Sequence, residues 1–139
     1  MSLRMEHLSV SYGTAPALNG LDLTIPQGAV TAIIGPNGCG KSTLLRALCH
    51  LMVPETGRVL LDGDDIAALR PHALARRMAL LPQAPLAPDG IRVKELVARG
   101  RTPWLRPFRP LSAADRQAVD AAMQATGIDQ MRDRRVDAL

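Results

Sequence analysis

Residues 35–42 read G-P-N-G-C-G-K-S, and no other stretch constrains the fold of this chain so tightly. The run fits the pattern G-x-x-x-x-G-K-[ST] at Gly35, Gly40, Lys41 and Ser42, and its flanks are of the kind that pattern needs. Upstream, Val30-Thr31-Ala32-Ile33-Ile34 is apolar and largely β-branched, which predicts a strand buried on both faces of a parallel sheet. Downstream, Leu44, Leu45 and Leu48 share one helical face with Lys41, which predicts a helix that begins inside the loop. Strand, loop and helix therefore follow in the order a phosphate cradle requires.

Each residue type in the loop has a physical reason. Gly35, Gly38 and Gly40 permit positive φ and close approach of the backbone, so that successive N–H groups can converge on phosphate oxygens. The helix N-terminus adds unpaired donors and a partial positive charge, Lys41 adds a full one, and the Ser42 hydroxyl is placed to ligate Mg²⁺. A triphosphate with magnesium suits this chemistry; the alternative is a glycine-rich turn that binds nothing. Cys39 reads either as a small loop residue or as a reactive thiol beside Lys41.

At 139 residues, 47% of them hydrophobic, the chain is one domain by size and can bury a modest core. No run approaches the roughly 18 apolar residues of a membrane-spanning helix, and "MSLRMEHLSV" lacks the apolar core of a signal peptide. A cytoplasmic location is expected, and with it no disulfide between Cys39 and Cys49. The net charge of +4 is unevenly spread: residues 1–83 carry seven basic and six acidic side chains, residues 84–139 ten and seven. Seven basic residues fall between Arg92 and Arg116, opposed there by Glu95 and Asp115 alone. Such a run could face nucleic acid, lipid headgroups, solvent or a protein partner; with only Tyr12, Trp104 and Phe108 as stacking platforms, nucleic acid is disfavoured in favour of a solvated or partner-facing surface.

Along the chain, Leu8, Val10 and Tyr12 alternate, and Leu21, Leu23 and Ile25 alternate after the turn residues Asn19-Gly20. They predict two neighbouring strands ahead of the loop. Val59-Leu60-Leu61, set between glycines, predicts a further strand; Pro71 opens a helix through Arg77; Met78 to Leu81 predicts a strand stopped by Pro82. After Gln83 the composition becomes proline-punctuated, with a short helical pattern at Val93, Leu96 and Val97. Ser112 and Asp115 form a capping-box signature before a helix whose face is Val119, Ala122, Met123 and Thr126, ended by Gly127. The expected division is 1–83, a core carrying the phosphate loop, and 84–139, part of a helical subdomain.

"GPNGCGKST", the preceding Tyr12, "PETGRVLLDGDDI" and "LLPQ" ending at Gln83 together resemble the ATP-binding subunits of ABC transporters, over essentially the whole chain. "VKELVARGRTPW" and "ATGIDQMRDRRVDAL" are most similar to the branch serving bacterial importers of iron siderophores, haem and cobalamin. The fold implied is α/β: a P-loop NTPase core of the ABC type with an N-terminal antiparallel β layer and the start of an α-helical subdomain. The resemblance implies that ATP is bound by Tyr12, stacked on the adenine, and by Gly35, Pro36, Asn37, Gly38, Cys39, Gly40, Lys41, Ser42 and Thr43. Catalytic roles fall to Lys41 and Gln83, and Mg²⁺ to Ser42 and Gln83; the alternative for Gln83 is an ordinary polar turn residue. Partners implied are a membrane permease, a second ATP-binding subunit and, indirectly, a substrate-binding protein, with no nucleic acid. The location implied is the inner face of the cell membrane. Arg99, Arg101, Trp104 and Arg106 are expected on or near the permease-docking surface.

Two departures from the family pattern carry expectations. Arg92 stands where relatives have a Ser or Thr helix cap, so the helix start near Val93 is expected to be less well fixed. "VDAL" ends on Leu139, which would be the first residue of the signature L-S-G-G-Q, so the signature, the strand ending in Asp-Glu and the switch histidine are expected beyond it. These 139 residues alone are therefore expected to grip ATP without effective hydrolysis and to be marginally soluble. The functions left open are the N-terminal part of an importer's ATPase, a non-catalytic nucleotide-binding remnant, and an ABC ATPase of another class.

Overall fold

The computed structural model describes residues 2–83, 87–106 and 108–139. The chain forms two compact units, Met1–Leu80 and Leu81–Leu139, each described here by itself. The boundary expected after Gln83 has Ala84 on its far side, outside the described residues.

The first unit is built on an antiparallel sheet of four strands in the order β2-β1-β3-β4: β1 Leu3–Tyr12, β2 Ala15–Ile25, β3 Thr56–Leu61 and β4 Asp64–Asp65. Strand β1 buries Leu3 and Met5, then Leu8 and Val10, so the inward set changes from odd to even positions along one strand. His7 causes the change. Its φ of 50° marks an extra residue in β1, between the pairs Met5↔Leu23 and Leu8↔Leu21, and its N–H donates to Asp22 Oδ1 at 2.9 Å. Gly57 of β3 lies against this bulge, where a Cβ would come within 2.3 Å of the carbonyl oxygens of Glu6 and His7.

The β1–β2 connection differs from the sequence expectation. The hairpin turns at Gly13-Thr14, between the paired Tyr12 and Ala15, with positive φ at Gly13 alone, the pattern of a type II′ turn. Asn19-Gly20 lies inside β2 as the irregularity between Leu8↔Leu21 and Val10↔Leu18, where the Gly20 N–H donates to Ser9 Oγ at 2.9 Å. Asp62 and Gly63, both at positive φ, join β3 to β4 in a two-residue type I′ turn.

Helix α1, Lys41–Leu48, packs Leu44, Ala47 and Leu48 into one cluster with Leu3, Met5, Leu8, Val10, Val59 and Leu61, and also buries Thr43. Leu45, expected on the inner face, is 41% exposed, because the buried stripe is centred on the 44/47/48 row rather than on Lys41. Helix α2, Pro71–Arg77, has the predicted bounds and buries Leu74. Arg77 ties it to the β3–β4 hairpin, donating to Asp64 Oδ2 at 2.7 Å, Leu61 O at 3.0 Å and Asp62 Oδ2 at 3.1 Å.

Two expected strands are not formed. Residues 30–34 and 78–81 have no strand pairing, with Val30 102%, Ile34 92% and Leu81 87% exposed. A strand needs a neighbour to take its N–H and C=O groups, and among the described residues neither run has one. Ile33 and Met78 still pack in part against the core, so the apolar pattern is used at single positions and not as sheet. The resulting architecture is α/β with an antiparallel β layer.

In the second unit, α3 (Val93–Arg99) and α4 (Ala113–Ala125) pack through Val93, Val119 and Met123, with Val97, Ala98, Ile128 and Val136 around them. The inner face of α4 is Asp115, Val119 and Met123; Ala122 is exposed, and Thr126, also exposed, is the C-cap, donating from its hydroxyl to Ala122 O at 2.8 Å. The capping box is present: Asp115 N donates to Ser112 Oγ at 3.1 Å, and Ser112 N donates to Asp115 Oδ2 at 3.1 Å. Arg101 Nε adds a bond of 2.9 Å to Asp115 Oδ1 and lays its guanidinium over the Trp104 ring, 4.3 Å from the centroid.

The start of α3 is well fixed, contrary to the expectation from Arg92. Arginine offers no acceptor for a side-chain cap, but the orphan donors find others: Val93 N bonds to Arg134 O and Lys94 N to Arg132 O, each at 3.0 Å. The Arg92 N–H goes to Glu95 Oε2 at 2.9 Å, and Lys94 Nζ pairs with Asp133 Oδ1 at 2.6 Å. Residues 132–134 thus replace the missing hydroxyl cap with their own carbonyls.

Candidate functional site

The site is assembled in the first unit, at the junction of the 35–40 loop with α1. Gly38 (φ 83°) and Gly40 (φ 92°) take the left-handed conformation. Gly35 does not; a Cβ there would lie 2.7 Å from Cys39 Sγ, a side-chain atom that can turn away, so neither conformation nor backbone contact demands glycine at this position. At Gly40 conformation and space act together, because a Cβ would meet the Ala17 carbonyl oxygen of β2 at 2.6 Å. The loop is thus seated on the β layer at the point where it becomes helix.

The first intrahelical bond of α1 runs from Leu44 N to Gly40 O at 2.8 Å, so the N–H groups of Lys41, Ser42 and Thr43 precede the ladder. Lys41 curls back over the loop, its Nζ donating to Gly35 O at 2.8 Å and Pro36 O at 2.7 Å and lying 3.7 Å from Cys39 Sγ. A full positive charge is therefore held over a turn of glycines at the positive end of a helix dipole. Asn37 and Ser42 are exposed beside it. Cys39 is an exposed free thiol; Cys49, also free, is partly buried, and burial pushes its pKa up.

Thr43 departs from its neighbours. Its side chain is buried, 6% exposed, and its Oγ1 donates to the Tyr12 hydroxyl at 3.4 Å. Tyr12 is half exposed, and its hydroxyl also touches Met52 Sδ at 3.2 Å and Arg46 Nη1 at 3.5 Å. The Thr43 hydrogen bond, opposed by burial and aided by Arg46, holds this phenol below its ordinary value of 10.0. The fold brings Tyr12 to Thr43 at the loop–helix junction that also carries Lys41, and sets Arg46 and Met52, which no motif marks, against the Tyr12 hydroxyl. Arg46 lies three residues after Thr43, a spacing that could have flagged it. Gln83 belongs to the second unit and is exposed there.

The donors fit an anionic guest. Main-chain N–H groups at a glycine turn, a lysine ammonium and an exposed serine hydroxyl are the groups that hold a phosphate chain and its magnesium. Among the described residues no cluster of three or more His, Cys, Asp and Glu could hold a metal ion on side chains alone, and no helix is long and apolar enough to cross a membrane.

Comparison with known proteins agrees with this geometry. The ABC transporter family matches residues 18–139, and the chain belongs to that family. The ferric enterobactin transport ATP-binding protein FepC of Escherichia coli K12 is 50% identical over 137 residues, covering 99% of this chain and 51% of FepC. The hemin import ATP-binding protein HmuV of Bordetella pertussis is 38% identical over 141 residues, covering 100% of this chain and 52% of HmuV. Among solved structures, an ATP-binding cassette from an ABC transporter superposes with a TM-score of 0.82 at 25% identity, covering 100% of this chain and 59% of that one. The chain spans about half the length of the curated relatives it matches.

Proposed function

We propose that this chain supplies the ATP-gripping part of the nucleotide-binding subunit of a bacterial ABC importer for an iron complex, a ferric siderophore in preference to haem. The junction of residues 35–43 carries the reading: Lys41 over the Gly35 and Pro36 carbonyls, with the first N–H groups of α1 free of the helix ladder. In this reading those N–H groups and Lys41 take the phosphates, Ser42 and Gln83 serve the Mg²⁺, and the half-exposed Tyr12 offers its ring to the base. Lys41 and Gln83 act in hydrolysis in the complete subunit, where positioning and charge stabilisation are the protein's contribution and magnesium neutralises phosphate charge.

The greater identity to a ferric enterobactin protein than to a hemin protein, 50% against 38%, supports the siderophore over haem. Partners in this reading are a membrane permease, a second copy of the subunit and, indirectly, a substrate-binding protein, with the subunit held at the cytoplasmic face of the membrane. Deleting the gene tests it. Uptake of a radioiron-labelled siderophore should fall to background and return with the wild-type gene but not with Lys41→Ala; unchanged siderophore uptake with lost haem uptake would transfer the reading to haem.

A further inference from the structure

The Tyr12 side chain is held by its tip on a residue that is half exposed. The hydroxyl donates to Met52 Sδ at 3.2 Å and accepts from Thr43 Oγ1 at 3.4 Å and Arg46 Nη1 at 3.5 Å, so its donor and its acceptor sites are both engaged. Thr43 and Arg46 are one helical turn apart on α1, the helix that opens with Lys41. Met52 lies four residues past the end of that helix. Tyr12 stays 50% exposed, whereas Thr43 is 6% exposed. A half-exposed tyrosine with no such anchor would sample several χ1 rotamers and would have to be ordered on binding, at a cost that weakens affinity.

We propose that Thr43, Arg46 and Met52 are positioning residues that latch the Tyr12 hydroxyl and so fix the attitude of its ring relative to the phosphate loop. The inference rests on the reading that Tyr12 stacks on the nucleobase, and adds to it a built-in reason for the ring to be ready. One helix then carries both ends of the nucleotide site. Its first N–H groups and Lys41 face the phosphates, and the side chains of Thr43 and Arg46 hold the base platform in register with them. Thr43 serves both ends, through its main-chain N–H in the first turn and its hydroxyl on Tyr12.

The test compares ATP with inorganic tripolyphosphate, which has the phosphates and lacks the base, by competition against a fluorescent nucleotide on the full-length protein with Mg²⁺. Tyr12→Phe keeps the ring and removes the latch; Thr43→Val removes one partner and Thr43→Ser restores its hydroxyl. Tyr12→Phe should weaken ATP about three- to tenfold and leave tripolyphosphate unchanged; Thr43→Val should weaken ATP by at least as much, with Thr43→Ser close to wild type. If Tyr12→Phe and Thr43→Val bind ATP as the wild type does while Tyr12→Ala binds it more weakly, stacking stands and the latch is overturned. Equal weakening of both ligands would also overturn it, since that reports damage to α1. If Tyr12→Ala leaves ATP binding unchanged, the stacking reading fails and the latch falls with it.

Discussion

Gly40 runs close against Ala17 of β2: a Cβ built on Gly40 would lie 2.6 Å from the Ala17 carbonyl oxygen. Backbone conformation and the contact with β2 therefore impose the same residue for different reasons.

Gly40→Ala should accordingly be costly. A non-glycine residue at φ 92° is strained, and the clash with β2 adds to the strain, together about 1–3 kcal/mol. Urea unfolding should show a lower midpoint, and nucleotide binding should weaken with it. Gly13→Ala, where nothing lies within 4 Å of the added Cβ, bears only the strain of φ 61° and should cost less.

Met123 is 0% exposed at the centre of the second unit's core, between α3 and α4. Met123→Ala should lower unfolding free energy by about 2–5 kcal/mol through lost burial and the cavity left behind. Denaturant titration followed by circular dichroism would measure it. Ala122→Ser, one residue away on the exposed face, should change stability by less than about 0.5 kcal/mol.

Ser112→Ala removes the acceptor for the Asp115 N–H and should cost about 1 kcal/mol, read as fraying of α4 in amide exchange. Asp115 should also give this unit an acid limit. The Ser112 side-chain hydrogen bond first, then Arg101 and the Ser112 N–H, hold its carboxyl below the ordinary 3.8. Its contribution is thus complete above about pH 4 and lost as pH falls through the lower folded value. In Asp115→Asn the slope of stability against pH in that window should flatten.

Arg101, expected on or near the permease-docking surface, also bonds Asp115 and lies over Trp104 within its own unit. Arg101→Glu should therefore destabilise the protein and, in the proposed importer, depress permease binding indirectly. Arg106→Glu, at an exposed position, should leave the unfolding midpoint unchanged and so reports on docking alone. Thermal unfolding of the two variants, run beside co-purification with the permease, separates the effects.

What the sequence made legible was local. Pro71 and the run to Arg77 set α2 to the residue, Ser112 and Asp115 set the start of α4, and the G-x-x-x-x-G-K-S pattern set the loop and the start of α1. Non-local pairing was hidden. Asn19-Gly20 has the chemistry of a hairpin turn, but the register that buries Leu8 and Val10 places the turn at Gly13-Thr14 and makes Gly20 a bulge. Residues 30–34 have the composition of a buried strand, and composition does not supply the neighbour that a strand requires. The cap of α3 was likewise invisible, because its acceptors are main-chain carbonyls about forty positions further on, which no residue type announces.

The central claim is that Lys41 and the N-terminus of α1 grip a nucleotide's phosphates. Calorimetric titration of the full-length protein with ATP, with and without Mg²⁺, tests it most directly when repeated on Lys41→Ala. The account predicts saturable binding, strengthened by Mg²⁺ and weakened at least about tenfold by the substitution. Absence of saturable binding in the wild type, or equal binding by Lys41→Ala, would contradict it.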